Sequence, residues 1–263
     1  MNTGRDGVLV VGAPIAPLLG EPRISSVMTS QLAAGEVCSV HEEQGDWLRV
    51  SGSDGYCGWT HRGYLRAKRG DEASWRWSLG CVAGVSNGDR IAWPLGARLA
   101  PGLEVLAGDV VSAEERPLRF PAEPQAIAAS ARRFFAGTSY LWGGVTPWGA
   151  DCSGLIQTVA RLHGVSLPRD AWQQAETTRM LSADINFAFT SRSAAADLVF
   201  FSDREDRRVT HVGMLLEEGL MLHSSLARGG AAVDKLDGSD EYLKRLRKRC
   251  TGVHRMLSTH HLS

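Results

Sequence analysis

The 263-residue sequence has no uninterrupted apolar run long enough to cross a bilayer as a helix, which takes about 20 residues. Its longest apolar stretch near the start, Val8 to Leu19, is broken by Gly12, Pro14 and Pro17 and makes a poor core for an export signal. A cytoplasmic protein with no membrane partner is expected. Net charge is also missing. The 29 Lys and Arg balance 29 Asp and Glu, so no overall field draws nucleic acid or an anionic surface. The basic run Lys244-Arg245-Leu246-Arg247-Lys248-Arg249 is a local exception. No aromatic residue is interleaved in it for base stacking, so it reads as the solvated face of a short helix or strand rather than a nucleic-acid site. Cysteine is scarce. Cys38, Cys57, Cys81, Cys152 and Cys250 are an odd number, widely spaced and without a C-x-x-C pair, which argues against a disulfide framework or a structural zinc site. Cys38 and Cys57 are expected on neighbouring strands without a bond between them.

What is present is ordinary for a folded chain, with 43% hydrophobic and 22% charged residues. From Val8 to about Ala67, short β-prone runs (Val8–Val11, Gly35–Val40, Trp47–Val50, Tyr56–Trp59) alternate with turn signals at Gly45-Asp46 and Asp54-Gly55, the texture of a small barrel. Trp75 to Arg119 repeats that style around Gly80, Gly84, Asn87-Gly88, Pro94, Gly96 and Pro101-Gly102. Pro117, Pro121 and Pro124 then mark a linker, and Gln125 to Phe135 reads as an alanine-rich helix. A second helix is predicted from Cys152 to His163, stopped by Gly164. Strands are predicted over Asp197–Phe201, Val209–Leu216 and Leu220–Ser224, with Glu217-Glu218-Gly219 as a turn. Helices ahead of a sheet indicate an α+β domain. The expected division is residues 1–70, 71–123 and 124–263.

Chemistry concentrates around Cys152, which falls where the glycine-rich Tyr140-Leu141-Trp142-Gly143-Gly144 segment and Asp151 lead into a helix. Free N–H groups and the positive end of the helix dipole stabilise a thiolate there and can hold an oxyanion. The local pattern fits a buried structural cysteine equally well. A reactive thiol needs an imidazole base. Of the eight histidines, His211 is best placed: it lies on a predicted strand, with Gly213 expected to leave the next same-face position open to a substrate. His223 follows on the partner strand of a tight hairpin, where it could orient His211. Cys152, His211 and His223 could instead ligate a metal, but they lack the close pairing of such sites, and none is expected. His41, His61, His163, His254, His260 and His261 are expected at the surface or terminus.

Tyr-x-Trp-Gly-Gly at Tyr140, Asp-Cys-Ser-Gly-Leu at Asp151, Pro-Arg-Asp at Pro168, Asp-Leu-Val-Phe-Phe at Asp197 and His-Val-Gly at His211 occur together in this order. As a set they resemble the NlpC-type cell-wall cysteine peptidases, over about Gln125 to Asp237. The front half resembles the bacterial SH3-like modules that precede this domain in γ-D-glutamyl-L-diamino acid endopeptidases. The resemblance implies a papain-like α+β catalytic domain behind one or two small SH3-like β-barrels, the second degenerate and occupying 71–123. It implies a triad of Cys152, His211 and His223, no cofactor, and murein stem peptides as substrate, cut between γ-D-glutamate and a diamino acid. Relatives that recycle freed peptides require an unblocked N-terminal L-Ala. Asp170 matches the position that binds its ammonium group; Tyr140, Asp151 and Ser153 match other substrate-lining positions, and Tyr56 resembles the tyrosine that the first module adds. Three features depart from the pattern: Ala171 replaces a hydroxyl residue, Ala196 replaces a glycine, and the stretch from Met180 to Ala196 is long. An inert peptidoglycan-binding module and a papain-like acyltransferase are the rival readings, and no motif speaks to self-association.

Overall fold

The computed structural model describes residues 8–68, 74–84 and 88–257. The chain divides into two compact units, Met1–Arg116 and Pro117–Ser263. The readings of His260, His261 and Asn87 lie outside the described residues.

The first unit contains two antiparallel sheets. Strands β1 (Leu9–Val11), β2 (Ile15–Leu19), β3 (Met28–Ala33), β4 (Val37–Gln44), β5 (Trp47–Ser51), β6 (Cys57–His61) and β7 (Leu65–Ala67) form a seven-stranded sheet in the order β3-β2-β6-β5-β4-β1-β7. Val11, Ala16, Leu18, Leu32, Leu48 and Val50 fill its core. The sequence gives no sign of β2 because Pro17 breaks its apolar pattern. The ladder tolerates Pro17 because β2 pairs with β3 along its length but meets β6 only at Leu19 and Trp59, which leaves one edge of the strand almost unladdered. Cys38 and Cys57 are not on neighbouring strands. The turns at Gly45 and Gly55, both at positive φ, fold β4, β5 and β6 into a meander with β5 in the middle.

The second sheet has β8 (Arg76–Gly84) paired with β9 (Arg90–Trp93), β10 (Arg98–Leu99) and β11 (Glu104–Val111). It shares a core with the first sheet, in which Ala33 and Ala34 pack with Cys81, Ala83, Trp93, Ala97 and Leu99. Gly35 is required at that seam. It sits at φ +76°, and a Cβ there would stand 2.6 Å from the Arg98 carbonyl oxygen and from the Trp75 ring. Beside it, buried Glu36 accepts hydrogen bonds from Ser53 and pairs with Arg98 at 3.1 Å.

A short helix, α1 (Arg116–Arg119), spans the boundary between the units. The second unit continues with α2 (Pro124–Phe135), the small hairpin β12 (Val145–Thr146) and β13 (Gly149–Ala150), α3 (Cys152–Leu162), α4 (Ala171–Thr177), β14 (Arg179–Ser182), β15 (Leu198–Phe201), β16 (His211–Glu217), β17 (Leu220–Ser225), β18 (Gly230–Lys235), α5 (Glu241–Lys248) and β19 (Cys250–Arg255). Six of these strands form an antiparallel sheet ordered β14-β19-β15-β16-β17-β18. The last strand thus inserts one position in from the β14 edge, between β14 and β15. Val199, Phe201, Leu215, Met221 and Val253 form one cluster with Leu243 and Leu246 of α5, which explains the basic run: two leucines anchor an otherwise solvated helix. Both α2 and α3 pack against β16.

The long stretch before β15 is an ordered addition to this core. Its Ile185–Phe189 3-10 turn packs Ile185, Phe187 and Phe189 around buried Ala188. Two histidines expected at the surface are buried because the fold supplies partners to their rings. His163 Nδ1 meets the Pro121 carbonyl at 2.6 Å and Nε2 meets Ser130 Oγ at 2.9 Å. His254 lies edge-on to Phe200 at 4.8 Å and hydrogen bonds Thr178 Oγ1 at 3.1 Å.

Candidate active site

The loop before α3 is pressed so closely onto the helix start that two positions exclude any side chain. A Cβ on Gly144 would stand 2.3 Å from the Gly149 carbonyl oxygen, and one on Gly154 would stand 2.2 Å from the Gly144 carbonyl oxygen. Asp151 caps the helix by accepting from the Gly154 N–H at 2.8 Å and also takes the Gly143 N–H at 2.9 Å. Its carboxylate is neutralised by Arg169, with contacts of 2.6 and 3.1 Å, and Arg169 donates a further bond to Ser153 Oγ at 2.9 Å. Asp151, Ser153 and Arg169 are all buried. The side chains of the first two are therefore committed to one another and to Arg169. A buried ion pair of this kind is well hydrogen-bonded, and losing one partner would strand the other charge.

Cys152 occupies the first helical position, with 9% of its surface exposed. Burial and then the Asp151 charge push its thiol above the ordinary range, while the backbone N–H groups of Val212 and Ser153 and the Arg169 charge act against that shift. The Val212 contact brings the sulfur to the start of β16, next to His211 in sequence. Burial, and then His223, pull His211 below the ordinary imidazole range. Both directions favour a neutral thiol and imidazole over a resting ion pair.

His211 begins β16 and His223 lies on β17, with His211 Nε2 and His223 Nδ1 2.8 Å apart. His223 Nε2 in turn meets Asp234 Oδ2 on β18 at 2.9 Å. The register explains that second step. Met221 is paired with Asp234 and His223 with Ala232, so His223 and Asp234 share a sheet face one diagonal apart. Gly213 serves packing rather than substrate entry: a Cβ there would stand 2.3 Å from Met221 Sδ, which fills the space.

Burial, Cys152 and Asp151 raise the Tyr140 phenol to about 12, with Arg169 opposing them. Half-buried Asp170 occupies the N-cap position of α4 and accepts from Trp172 Nε1 at 3.3 Å. Burial raises its carboxyl, against the lowering effects of Arg169, Trp172 and Arg208. The predicted residues Cys152, His211, His223, Tyr140, Asp151, Ser153 and Asp170 thus all belong to the second unit. Tyr56 belongs to the first, where its ring packs on that unit's core.

Residues 137–248 match the NlpC/P60 family, and residues 18–62 match the bacterial dipeptidyl-peptidase Sh3 domain. The second unit carries an NlpC/P60 domain. That region is similar to a cysteine-peptidase family, and the region ahead of it is similar to a bacterial SH3 domain. A γ-D-glutamyl-L-lysine dipeptidyl-peptidase of Bacillus subtilis is 28% identical over 222 residues, which are 76% of this chain and 73% of the relative. A bifunctional muramidase/DL-endopeptidase, CwlT, of the same species is 38% identical over 93 residues, 35% of this chain and 26% of the relative. The crystal structure of an NlpC/P60 family protein from Bacillus cereus superposes with a TM-score of 0.77 over 95% of this chain and 100% of that one, at 18% identity. The likeness takes in residues of each unit.

Several residues around the NlpC/P60 site were not singled out from sequence. Arg169 was visible only as part of Pro-Arg-Asp. Asp234, Arg228 and Tyr242 were missed. A usable signal existed for Asp234, which follows His223 by 11 residues as His223 follows His211 by 12. Successive hairpin strands of this length bring such positions back together. The strand β18 itself, Gly230-Ala231-Ala232-Val233-Asp234-Lys235, is too weakly apolar to stand out.

Proposed function

We propose that the chain hydrolyses the γ-D-glutamyl–diamino acid bond of murein stem peptides whose N-terminal L-Ala is free, with Cys152 as nucleophile and His211 as base. The observation that carries this reading is the His211–His223 hydrogen bond at the start of β16, next to the Val212 N–H that meets the Cys152 thiol. The name of the Bacillus subtilis relative adds support for the bond that is cut.

In this mechanism His211 takes the Cys152 proton as sulfur attacks the γ-carbonyl carbon of D-glutamate. Burial disfavours both charged partners, so proton transfer accompanies attack instead of preceding it. The oxyanion is held at the start of α3. The Gly154 N–H is taken by the Asp151 carboxylate, the Leu155 N–H by the Asp151 carbonyl, and the Ser153 N–H faces the Cys152 sulfur, which leaves the Cys152 N–H at the first helical position as the donor for the substrate. The C–N bond then breaks, the His211 imidazolium gives its proton to the leaving amine, and a thioester remains. Water, deprotonated by His211, attacks the thioester and restores the thiol. No cofactor enters these steps.

Free-amine selectivity is assigned to Asp170. Its upward shift reflects a carboxylate whose burial is incompletely offset by nearby cations, and a substrate ammonium supplies the missing charge. Tyr140 is assigned to the substrate wall beside Cys152. Freed peptides, each with an exposed amine, are thus the preferred substrates over intact wall.

The test uses L-Ala-γ-D-Glu linked to diaminopimelate or to L-Lys, each with a free or acetylated N-terminus, followed by mass spectrometry. The free peptides should yield L-Ala-γ-D-Glu, and the acetylated ones should react at least about 10²-fold more slowly, as expected for loss of a charge-assisted contact. Peptidoglycan binding without cleavage of any peptide would replace this reading with that of a binding module. Mass adducts on an added amine acceptor in place of hydrolysis would replace it with an acyltransferase.

A further inference from the structure

The hydrogen-bond chain behind His211 does not end at His223. His223 is fully buried, and its Nε2 stands 2.9 Å from Asp234 Oδ2. Asp234 is held from its other side by Arg228, whose Nε and Nη2 donate to Oδ2 and Oδ1, both at 2.9 Å. Arg228 Nη2 also meets Asp240 Oδ2 at 2.8 Å. Tyr242 stacks on the His223 ring at 6.0 Å with an interplanar angle of 14°, and the Arg228 guanidinium lies 4.8 Å from the Tyr242 ring centre. His223 is therefore faced by His211 from β16, Asp234 from β18 and Tyr242 from α5, and Asp234 by His223 and Arg228.

We propose that Asp234 is a positioning residue that fixes the tautomers of both histidines and so leaves Nδ1 of His211, the ring nitrogen not bonded to His223, unprotonated. This deepens the proposed peptidase mechanism and rests on its assignment of His211 as base. An ionised carboxylate only accepts hydrogen bonds, so Asp234 requires the proton of His223 to sit on Nε2. The Nδ1 of neutral His223 then carries a lone pair and accepts from His211 Nε2–H. With its proton on Nε2, His211 presents the lone pair of Nδ1, which is the form a base needs. Burial works against an ionised Asp234, but the bonds from His223 and Arg228 outweigh it and hold the carboxyl below its usual range. Arg228 adds geometry: its two parallel bonds set the carboxylate plane.

Two measurements test this, and each has a readout besides peptide cleavage. The first is ¹⁵N NMR of the imidazoles in the full chain, assigned with His211→Gln and His223→Gln proteins. The proposal requires Nε2–H tautomers at both histidines, whereas a proton on Nδ1 of His223 in the wild-type protein overturns it. The second is the rate and pH profile of Cys152 alkylation by iodoacetamide in wild type, Asp234→Asn and Asp234→Glu. Asp234→Asn should slow alkylation and lower kcat about 10²-fold with KM unchanged within about threefold, and Asp234→Glu should recover part of the loss. Wild-type alkylation and kcat in Asp234→Asn overturn the proposal. If wild type cleaves no stem peptide, the proposed function fails while the NMR and alkylation results still decide the role of Asp234. If Asp234→Asn does not fold, the wild-type tautomers decide it alone.

Discussion

Two Arg–Asp clamps support the candidate catalytic pair, one at the start of the Cys152 helix and one against His223, and they are built differently. Arg169–Asp151, with side chains 2% and 8% exposed, locks the loop onto the start of α3. Arg228–Asp234, at 26% and 13%, is more open to solvent and shares its arginine with Asp240. The first clamp uses its polar groups on the fold itself, on two backbone N–H groups and a serine. The second directs one carboxylate oxygen at a histidine nitrogen. Burial thus separates a clamp that sets the nucleophile's position from one that sets a proton's position.

Breaking each clamp should expose that difference. Arg169→Met leaves Asp151 buried and uncompensated, with a loss of about 3–5 kcal/mol in unfolding free energy, measurable by urea denaturation. Arg228→Met leaves a partly solvated carboxylate still bonded to His223, so the loss should be about 1 kcal/mol or less, with kcat reduced more than stability. Equal destabilisation by the two substitutions would dissolve the distinction. Asp170 sharpens it from a third side, as an acidic residue without a full clamp. Asp170→Asn should raise KM for free-amine peptides about 10- to 100-fold and leave acetylated peptides unchanged. The pH dependence has a definite sign. Burial lifts the Asp170 carboxyl, so as pH falls its charge is lost sooner than from an ordinary carboxylate, and KM for free-amine peptides should climb in that higher window.

The smallest effect concerns Ala196, at the position where the family resemblance leads one to expect glycine. It sits at φ +61°, a conformation that costs an L-residue about 1–2 kcal/mol. Part of that is offset by the greater freedom glycine would have in the unfolded chain. Ala196→Gly should stabilise by about 0.5–1 kcal/mol in the same denaturation experiment, with kcat unchanged. A loss of stability would mean that the strain is relieved locally.

The sequence made some of these features legible and hid others for physical reasons. Cys152 could be placed because a helix start announces itself through a capping aspartate, glycines and an apolar repeat. The His211–His223 pair could be placed because Gly219 marks a tight hairpin, with φ +66°, that brings the two strands back together. By contrast, β19 carries Gly252 and buries His254, so its pattern does not read as an interior strand, although it lies between β14 and β15. Arg169 acts through Asp151, 18 residues away, and no local spacing shows that the two meet; Asp234 had a usable spacing from His223, but its strand is too weakly apolar to place it. Gly213 was legible as a necessary glycine, but its reason was not, because Met221 fills the space only once the register of β16 and β17 is set. Ala196 was recognisable as unusual from sequence, and its left-handed backbone gives the departure a cost.

The central claim is that the Cys152 thiol performs the bond cleavage. Its most direct test is the rate at which Cys152→Ala protein, shown to be folded by circular dichroism, hydrolyses L-Ala-γ-D-Glu-diaminopimelate beside wild type. The account predicts a fall of at least about 10⁴-fold, as for loss of the nucleophile in other covalent hydrolases; cleavage within tenfold of the wild-type rate would contradict it.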